Sequence, residues 1–133
     1  WPESVVGSIT HTREWAVVAV AWANNVRCLG IDLESGTVPE NATELVVHAN
    51  ELSGETTPAA VFSCKEAVYK SVFSQHLEYF DFLDIRLRFG ASPGRFSAVA
   101  CRALSSQVSI ERGMGYFVGR GRTWLSAFVV GNS

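Results

Sequence analysis

The chain has 133 residues and a net charge of −2, with 47% hydrophobic and 18% charged residues. This balance excludes an intrinsically disordered polypeptide and favours one globular domain over residues 1–133. No apolar run approaches the roughly 20 residues that a membrane-spanning helix needs, so we expect no membrane span, and we expect no nucleic-acid partner.

The three cysteines, Cys28, Cys64 and Cys101, are too widely spaced for a disulfide framework or a zinc motif. We expect buried free thiols in a reducing cytoplasm. The charges divide unevenly, because the residues after Asp84 contain seven arginines and a single acid, Glu111. Such asymmetry either steers an acidic partner or phosphates to one side, or it reflects solvated strand faces.

The first part of the chain is predicted to be β-structure. Short apolar runs predict strands at Val5–Thr10, Trp15–Trp22 and Arg27–Leu33. The pair Asn24-Asn25 lies between two of these runs and is a turn signal. The second and third strands are therefore predicted to form a hairpin.

Two helices are predicted next. The range Asn41–Leu52 has apolar residues at helical spacing, and the range Ala59–Gln75 has a stronger pattern. The apolar stripe of the longer helix consists of Val61, Cys64, Val68 and Val72.

The remainder of the chain is again predicted to be β-structure. Strands are predicted at Asp84–Phe89, Arg95–Cys101, Tyr116–Val118 and Thr123–Val130. Strands on both sides of one long helix predict an α+β fold in which a mostly antiparallel sheet packs on that helix.

Two carboxylates share one face of the third predicted strand. Asp32 and Glu34 stand two residues apart in Gly-Ile-Asp-Leu-Glu, which places them roughly 6–7 Å apart along a strand. Neighbouring carboxylates repel unless a positive charge lies between them, and a hard divalent cation is the usual solution. The alternative is a solvent-facing acidic pair at the end of a strand.

The long predicted helix carries a second pair of charges. Glu66 and Lys70 lie one turn apart in Phe-Ser-Cys-Lys-Glu-Ala-Val-Tyr-Lys. They form either an ordinary exposed ion pair or a functional pair, with Glu66 on a cation and Lys70 on a phosphate oxygen. Similarly, His11 after the first strand is either a phosphate contact or a surface histidine.

The order of these segments resembles a known family. Thr10-His11, the Gly-Ile-Asp-x-Glu strand and the Phe-Ser-x-Lys-Glu-Ala-x-x-Lys helix resemble the 4′-phosphopantetheinyl transferases of the long, surfactin and enterobactin type, over about residues 1–82. The resemblance implies a cytoplasmic holo-carrier-protein synthase. Such an enzyme uses Mg²⁺ to transfer 4′-phosphopantetheine from coenzyme A to a serine of an acyl or peptidyl carrier protein, releasing 3′,5′-ADP. The enterobactin-like motif favours the carrier of a siderophore peptide synthetase.

The resemblance also implies roles for individual residues. Asp32, Glu34 and Glu66 correspond to Mg²⁺ ligands, and Glu66 and Lys70 correspond to catalytic residues. The cofactor-binding set, which would hold coenzyme A, comprises Thr10, His11, Lys65 and Lys70.

The domain organisation leaves alternatives open. The first residue is Trp1, and the motif order matches the C-terminal half of the long type, so we expect the chain to lack the N-terminal half. The partner is then that half or a second copy of this chain. Two other functions remain: a metal-binding module that is inactive without the missing half, and an Mg²⁺-dependent phosphohydrolase.

Overall fold

The computed structural model describes residues 1–54, 56–90 and 92–132, which form seven strands and three α-helices. The strands are β1 (Val5–His11), β2 (Ala16–Trp22), β3 (Val26–Ser35), β4 (Ile85–Phe89), β5 (Arg95–Ala100), β6 (Met114–Arg120) and β7 (Thr123–Gly131). The helices are α1 (Glu40–Val46), α2 (Pro58–His76) and α3 (Gln107–Arg112), with 3₁₀ turns at Ala49–Glu51 and Phe82–Asp84.

The predicted α+β class is confirmed. Five strands form one antiparallel sheet in the order β3-β7-β6-β5-β4, and α2 packs against it. The predicted stripe of α2 lies in the core between helix and sheet, where Val61, Cys64 and Val68 are fully buried and Val72 is nearly so. The helix begins at a Thr57 cap, whose hydroxyl accepts a hydrogen bond from the Ala60 amide at 3.2 Å.

The predicted hairpin between the second and third strands is wrong. β2 pairs with β1 in a separate two-stranded sheet, while β3 pairs with β7. The other edge of β3 contacts β1 through side chains: the Ser8 and Thr10 hydroxyls accept hydrogen bonds from the Ile31 and Leu33 amides, each at 3.0 Å. Asn25 still lies in a turn, but that turn joins two sheets instead of closing a hairpin.

The predicted helix over Asn41–Leu52 is too long. α1 ends at Val46, and Val47 is extended before the 3₁₀ turn at Ala49–Glu51. The break turns Glu51 inward, where it is 1% exposed and pairs with Lys65 at 3.0 Å. It also frees the Val46 carbonyl to accept a hydrogen bond from Lys65 Nζ at 2.7 Å. Satisfying this buried pair therefore outweighs the local helical pattern.

Two further expectations need correction. Cys28 and Cys64 are buried free thiols, but Cys101 is exposed, because it follows β5 at the point where the chain leaves the sheet. The short helix α3 was not predicted. Ser105 and Ser106 directly precede this helix, and the Glu78 carboxylate accepts hydrogen bonds from their backbone amides and hydroxyls at 2.9–3.0 Å.

Glu78 is expected to stabilise the fold fully above about pH 4.5 and progressively less between pH 4.5 and about 2. The hydrogen bonds from Ser105 and Ser106 lower its pKa to about 2, so its contribution is lost as the pH falls from the unfolded-state pKa through the folded one. Glu78→Gln should lower the melting temperature by a few degrees at pH 7 and by much less at pH 3. Thermal scans at both pH values check this, with Glu44→Gln on the exposed face of α1 as the control; an equal loss at both pH values would contradict it.

Candidate active site

Asp32 and Glu34 reach the site because β3 runs directly beneath α2. A side chain at Gly30 would collide with the Ala67 carbonyl and the Ser71 amide of α2, so only glycine permits this close approach. Two residues further along the same face of β3, Asp32 lies against the helix and is 3% exposed. Glu34 follows on that face and is half-buried.

Lys70 of α2 pairs with Asp32 and not with Glu66. Its ammonium lies 2.8 Å from Asp32 Oδ1, and the Lys70 side chain is 30% exposed. The interpretation of Glu66 and Lys70 as a simple surface pair therefore does not describe the structure. The second carboxylate oxygen, Asp32 Oδ2, is buried and has no hydrogen-bond partner. A buried carboxylate oxygen without a partner is costly, so this atom marks a place where a cation would be stabilised.

The electrostatics of the three carboxylates also favour a bound cation. Burial contributes most, followed by the charge of Asp32, a side-chain hydrogen bond to Asp32 and the charge of Glu66, and together they raise the pKa of Glu34 to about 7. Burial and the charge of Asp32 also raise the pKa of Glu66, and the charge of Lys70 partly offsets this increase. One ammonium therefore serves three acidic groups, and the cluster keeps an excess of negative charge that an added cation would neutralise.

The donor set suits Mg²⁺ by chemistry. Within the described ranges, no group of three or more His, Cys, Asp or Glu side chains is already arranged to hold a metal ion. Mg²⁺ does not need such a cage, because it keeps several waters and is usually bound by one or two carboxylates together with substrate phosphates. The buried free oxygen of Asp32, with Glu34 and Glu66 beside it, meets that requirement.

Several cavities border this carboxylate cluster; one of about 240 Å³ extends from Glu34 to apolar residues that include Val46 and Phe62. Two others differ in polarity. The larger, about 580 Å³, is lined by Glu34 and by the β1–β2 turn, including His11, Arg13 and Trp15. The smaller, about 210 Å³, lies beside Glu66 and is mainly apolar, with walls from Tyr69, Phe80, Phe82 and Ile85. A polar cavity with cationic side chains and an apolar one thus meet the cluster from different sides.

Two predicted cofactor-binding residues, Thr10 and Lys65, have polar groups that are bonded inside the protein. The Thr10 hydroxyl accepts the Leu33 amide and is 4% exposed, so it holds the edge of β3, while the neighbouring His11 is exposed and lines the larger cavity. Lys65 is buried and makes its ion pair with Glu51. Roles for Ser8 and Glu51 were not predicted; the alternation of two hydroxyl residues in Ser-Ile-Thr was the available signal for Ser8.

Comparisons with known proteins identify relatives. No protein-family model matches the chain. The 4′-phosphopantetheinyl transferase Svp of Streptomyces mobaraensis is 32% identical over 109 residues, which cover 74% of this chain and 44% of the relative. The 4′-phosphopantetheinyl transferase Npt of Nocardia iowensis is 32% identical over 102 residues, covering 71% and 46%. The 4′-phosphopantetheinyl transferase PptT of Mycobacterium tuberculosis is 30% identical over 141 aligned positions, covering 86% and 61%.

The chain therefore spans about half the length of the curated relatives that it matches. None of the helices in the described residues has the length and apolarity that a membrane span requires. All three relatives carry the same description, and the matches cover most of this chain. The chain belongs to the 4′-phosphopantetheinyl transferase superfamily.

Proposed function

We propose that the chain carries the catalytic centre for Mg²⁺-dependent transfer of 4′-phosphopantetheine from coenzyme A to a serine of an acyl or peptidyl carrier protein, with release of 3′,5′-ADP. The observation that supports this most strongly is the buried, unpartnered oxygen of Asp32 beside Glu34, Glu66 and Lys70, in a chain of this superfamily. The enterobactin-like motif favours a carrier of a siderophore peptide synthetase as the acceptor.

The metal-binding residues in this proposal are Asp32, Glu34 and Glu66. Bound Mg²⁺ supplies positive charge and a Lewis acid for the pyrophosphate. Among the described residues, Lys70 is the only cationic side chain that forms an ion pair with Asp32, at 2.8 Å. Its ammonium can contact a non-bridging phosphate oxygen and stabilise charge on the departing 3′,5′-ADP.

The reaction requires a base for the carrier serine. The serine oxygen attacks the β-phosphorus, and the bond from that phosphorus to the oxygen of 3′,5′-ADP breaks. The serine proton passes to Glu66, directly or through a water. Glu66 lines the smaller cavity, so a serine that approaches through this cavity would come within reach of its carboxylate.

The two cavities suit the two ends of coenzyme A. In the 580 Å³ cavity, His11 and Arg13 can bind the 3′-phosphate through charge-assisted hydrogen bonds. The Trp15 ring can stack on the adenine. The mainly apolar 210 Å³ cavity suits the pantetheine end, and Glu66 lies at its border. The scissile pyrophosphate then lies between them, over Asp32.

The proposal for domain organisation is that residues 1–133 correspond to the C-terminal half of a long-type enzyme. Supporting it, the chain spans 44%, 46% and 61% of three relatives. The outer face of β2 is also apolar and solvent-exposed at Val18, Val20 and Trp22, each more than half exposed. An N-terminal half or a second copy would cover such a face; without it, the chain would be an inactive metal-binding module.

Mass spectrometry of an apo carrier protein, incubated with the chain, coenzyme A and Mg²⁺, tests the function. We expect the carrier to gain one phosphopantetheine group, and a chelator to prevent this. Production of 3′,5′-ADP without any carrier would instead indicate a phosphohydrolase, which the same carboxylates and lysine could support. No reaction with the carrier, even when the N-terminal region of a relative is added, would refute the proposed transfer.

Lys70→Met is expected to weaken coenzyme A binding about tenfold at low ionic strength, because a charge-assisted contact to phosphate is lost. The loss should shrink as salt is added, since Lys70 is partly exposed and screening weakens its attraction. Calorimetric titration at two salt concentrations measures both effects. The matched control is Arg102→Met, which removes a cation paired with Asp84 at 3.1 Å; equal affinities for both variants would rule out the phosphate contact.

A further inference from the structure

Lys65 occupies the sequence motif beside Glu66, but its ammonium is bonded completely inside the protein. The Lys65 side chain is 0% exposed. Its nitrogen lies 2.7 Å from the Val46 carbonyl, 2.9 Å from the Phe82 carbonyl and 3.0 Å from Glu51 Oε2. An ammonium has three N–H donors, and these three partners use all of them.

The partner carboxylate is equally well satisfied. Glu51 Oε2 also accepts a hydrogen bond from the His48 amide at 2.7 Å, and Oε1 accepts one from the Leu87 amide at 2.8 Å. Moving Lys65 towards a phosphate would leave the Glu51 charge buried without its cation, which is strongly unfavourable. A direct phosphate contact by Lys65 therefore conflicts with the arrangement around it.

The Phe82 carbonyl gives Lys65 a different route to the active site. Phe82 lies in the 3₁₀ turn that forms one wall of the 210 Å³ cavity, and Lys65 and Glu66 border the same cavity. The Phe82 ring packs on Phe62 with centroids 5.2 Å apart, and Phe80 packs edge-on against Tyr69 at 5.1 Å. Lys65 thus ties the segment Phe80–Phe82 to α2 through its backbone, while the aromatic rings fill the space.

We propose that Lys65 is a positioning residue that fixes the Phe80–Phe82 wall beside Glu66 and thereby sets the affinity for the pantetheine end of coenzyme A, without touching its phosphates. This inference rests on the proposed function, because it takes the ligand of the cavity from it. The physical basis is that a wall held in place before binding spares the ligand the cost of ordering it.

Two ligands separate positioning from phosphate contact. Coenzyme A carries pantetheine, whereas adenosine 3′-phosphate 5′-diphosphate keeps the whole pyrophosphate and lacks pantetheine. In Lys65→Met we expect the dissociation constant of coenzyme A to rise about tenfold and that of the truncated ligand to stay within about twofold. Lys70→Met should weaken both ligands. Calorimetry with Mg²⁺ present measures all four values.

A second variant guards against misfolding. Lys65→Met/Glu51→Gln removes both buried charges together, which proteins tolerate far better than removal of one, and it still releases the Phe82 carbonyl. It should show the same selective loss. An equal loss for both ligands would mean that Lys65 contacts phosphate, and no loss for either would mean that it serves stability alone; both results overturn the inference. Failure of the unmodified protein to bind either ligand, even when the N-terminal region of a relative is added, would instead refute the proposed function.

Discussion

Asp32→Asn is expected to lower the rate of phosphopantetheine transfer at least about a hundredfold while the protein stays folded. Asp32 supplies the buried oxygen without a partner and the ion pair to Lys70, so its loss removes the group on which the cluster converges. The fold should persist, because the Lys70 side chain is already 30% exposed and can turn to water. Glu66→Gln should have a comparable effect, since it removes both a proposed ligand and the proposed base.

Transfer assays at limiting and saturating Mg²⁺ measure this loss, with circular dichroism confirming the fold. Glu44→Gln is the matched control, because Glu44 is an exposed glutamate of α1 that has no role in the proposed site. Turnover near the unmodified rate in both Asp32→Asn and Glu66→Gln, at limiting Mg²⁺, would refute the metal assignment.

Lys65→Met is expected to lower the free energy of unfolding by about 3–5 kcal/mol, because it leaves the Glu51 carboxylate buried without its cation. Both side chains of this pair are 0% exposed. Restoring neutrality with Lys65→Met/Glu51→Gln should recover part of the loss, because the new side chain keeps one acceptor oxygen for the two backbone amides, His48 and Leu87, that now bond to Glu51. The Arg102–Asp84 pair is the surface comparison, and Arg102→Met should cost only about 0–1 kcal/mol, since the Arg102 side chain is 49% exposed.

Urea titrations of the single and double variants measure these differences and form a double-mutant cycle. A large positive coupling between Lys65 and Glu51 is expected. If the double variant were as unstable as the sum of the single variants, the buried pair would not be the source of the loss.

Local periodicity predicted the elements well, for physical reasons that particular residues show. The stripe of α2 repeats at helical spacing and is buried in the structure from Val61 to Val72. Strand partners, by contrast, could not be predicted, because an apolar run indicates a strand but not which strand lies beside it. In the structure β3 is buried on both faces from Cys28 to Leu33. β3 takes its partner from β7 at the other end of the chain, and the local turn at Asn25 misled the assignment.

The candidate site shows the same division. The spacing of Asp32 and Glu34 along a strand predicted that they share a face, and the structure places both against α2. The pairing of Lys70 with Asp32 joins residues from separate elements, so no local pattern could indicate it. Glu51, predicted to lie in a helix, becomes a buried partner of Lys65 only when the tertiary structure forms.

The hydroxyls of Ser8 and Thr10 reduce the tendency of the protein to associate with other molecules through β3. An edge strand of a sheet has unpaired backbone amides, and an extended segment of another molecule can pair with them. Here the Ile31 and Leu33 amides are already bonded to the two hydroxyls at 3.0 Å. Side-chain hydroxyls thus satisfy these two amides of β3 in place of a neighbouring strand. The strand that carries Asp32 is therefore less able to pair with a strand of another molecule.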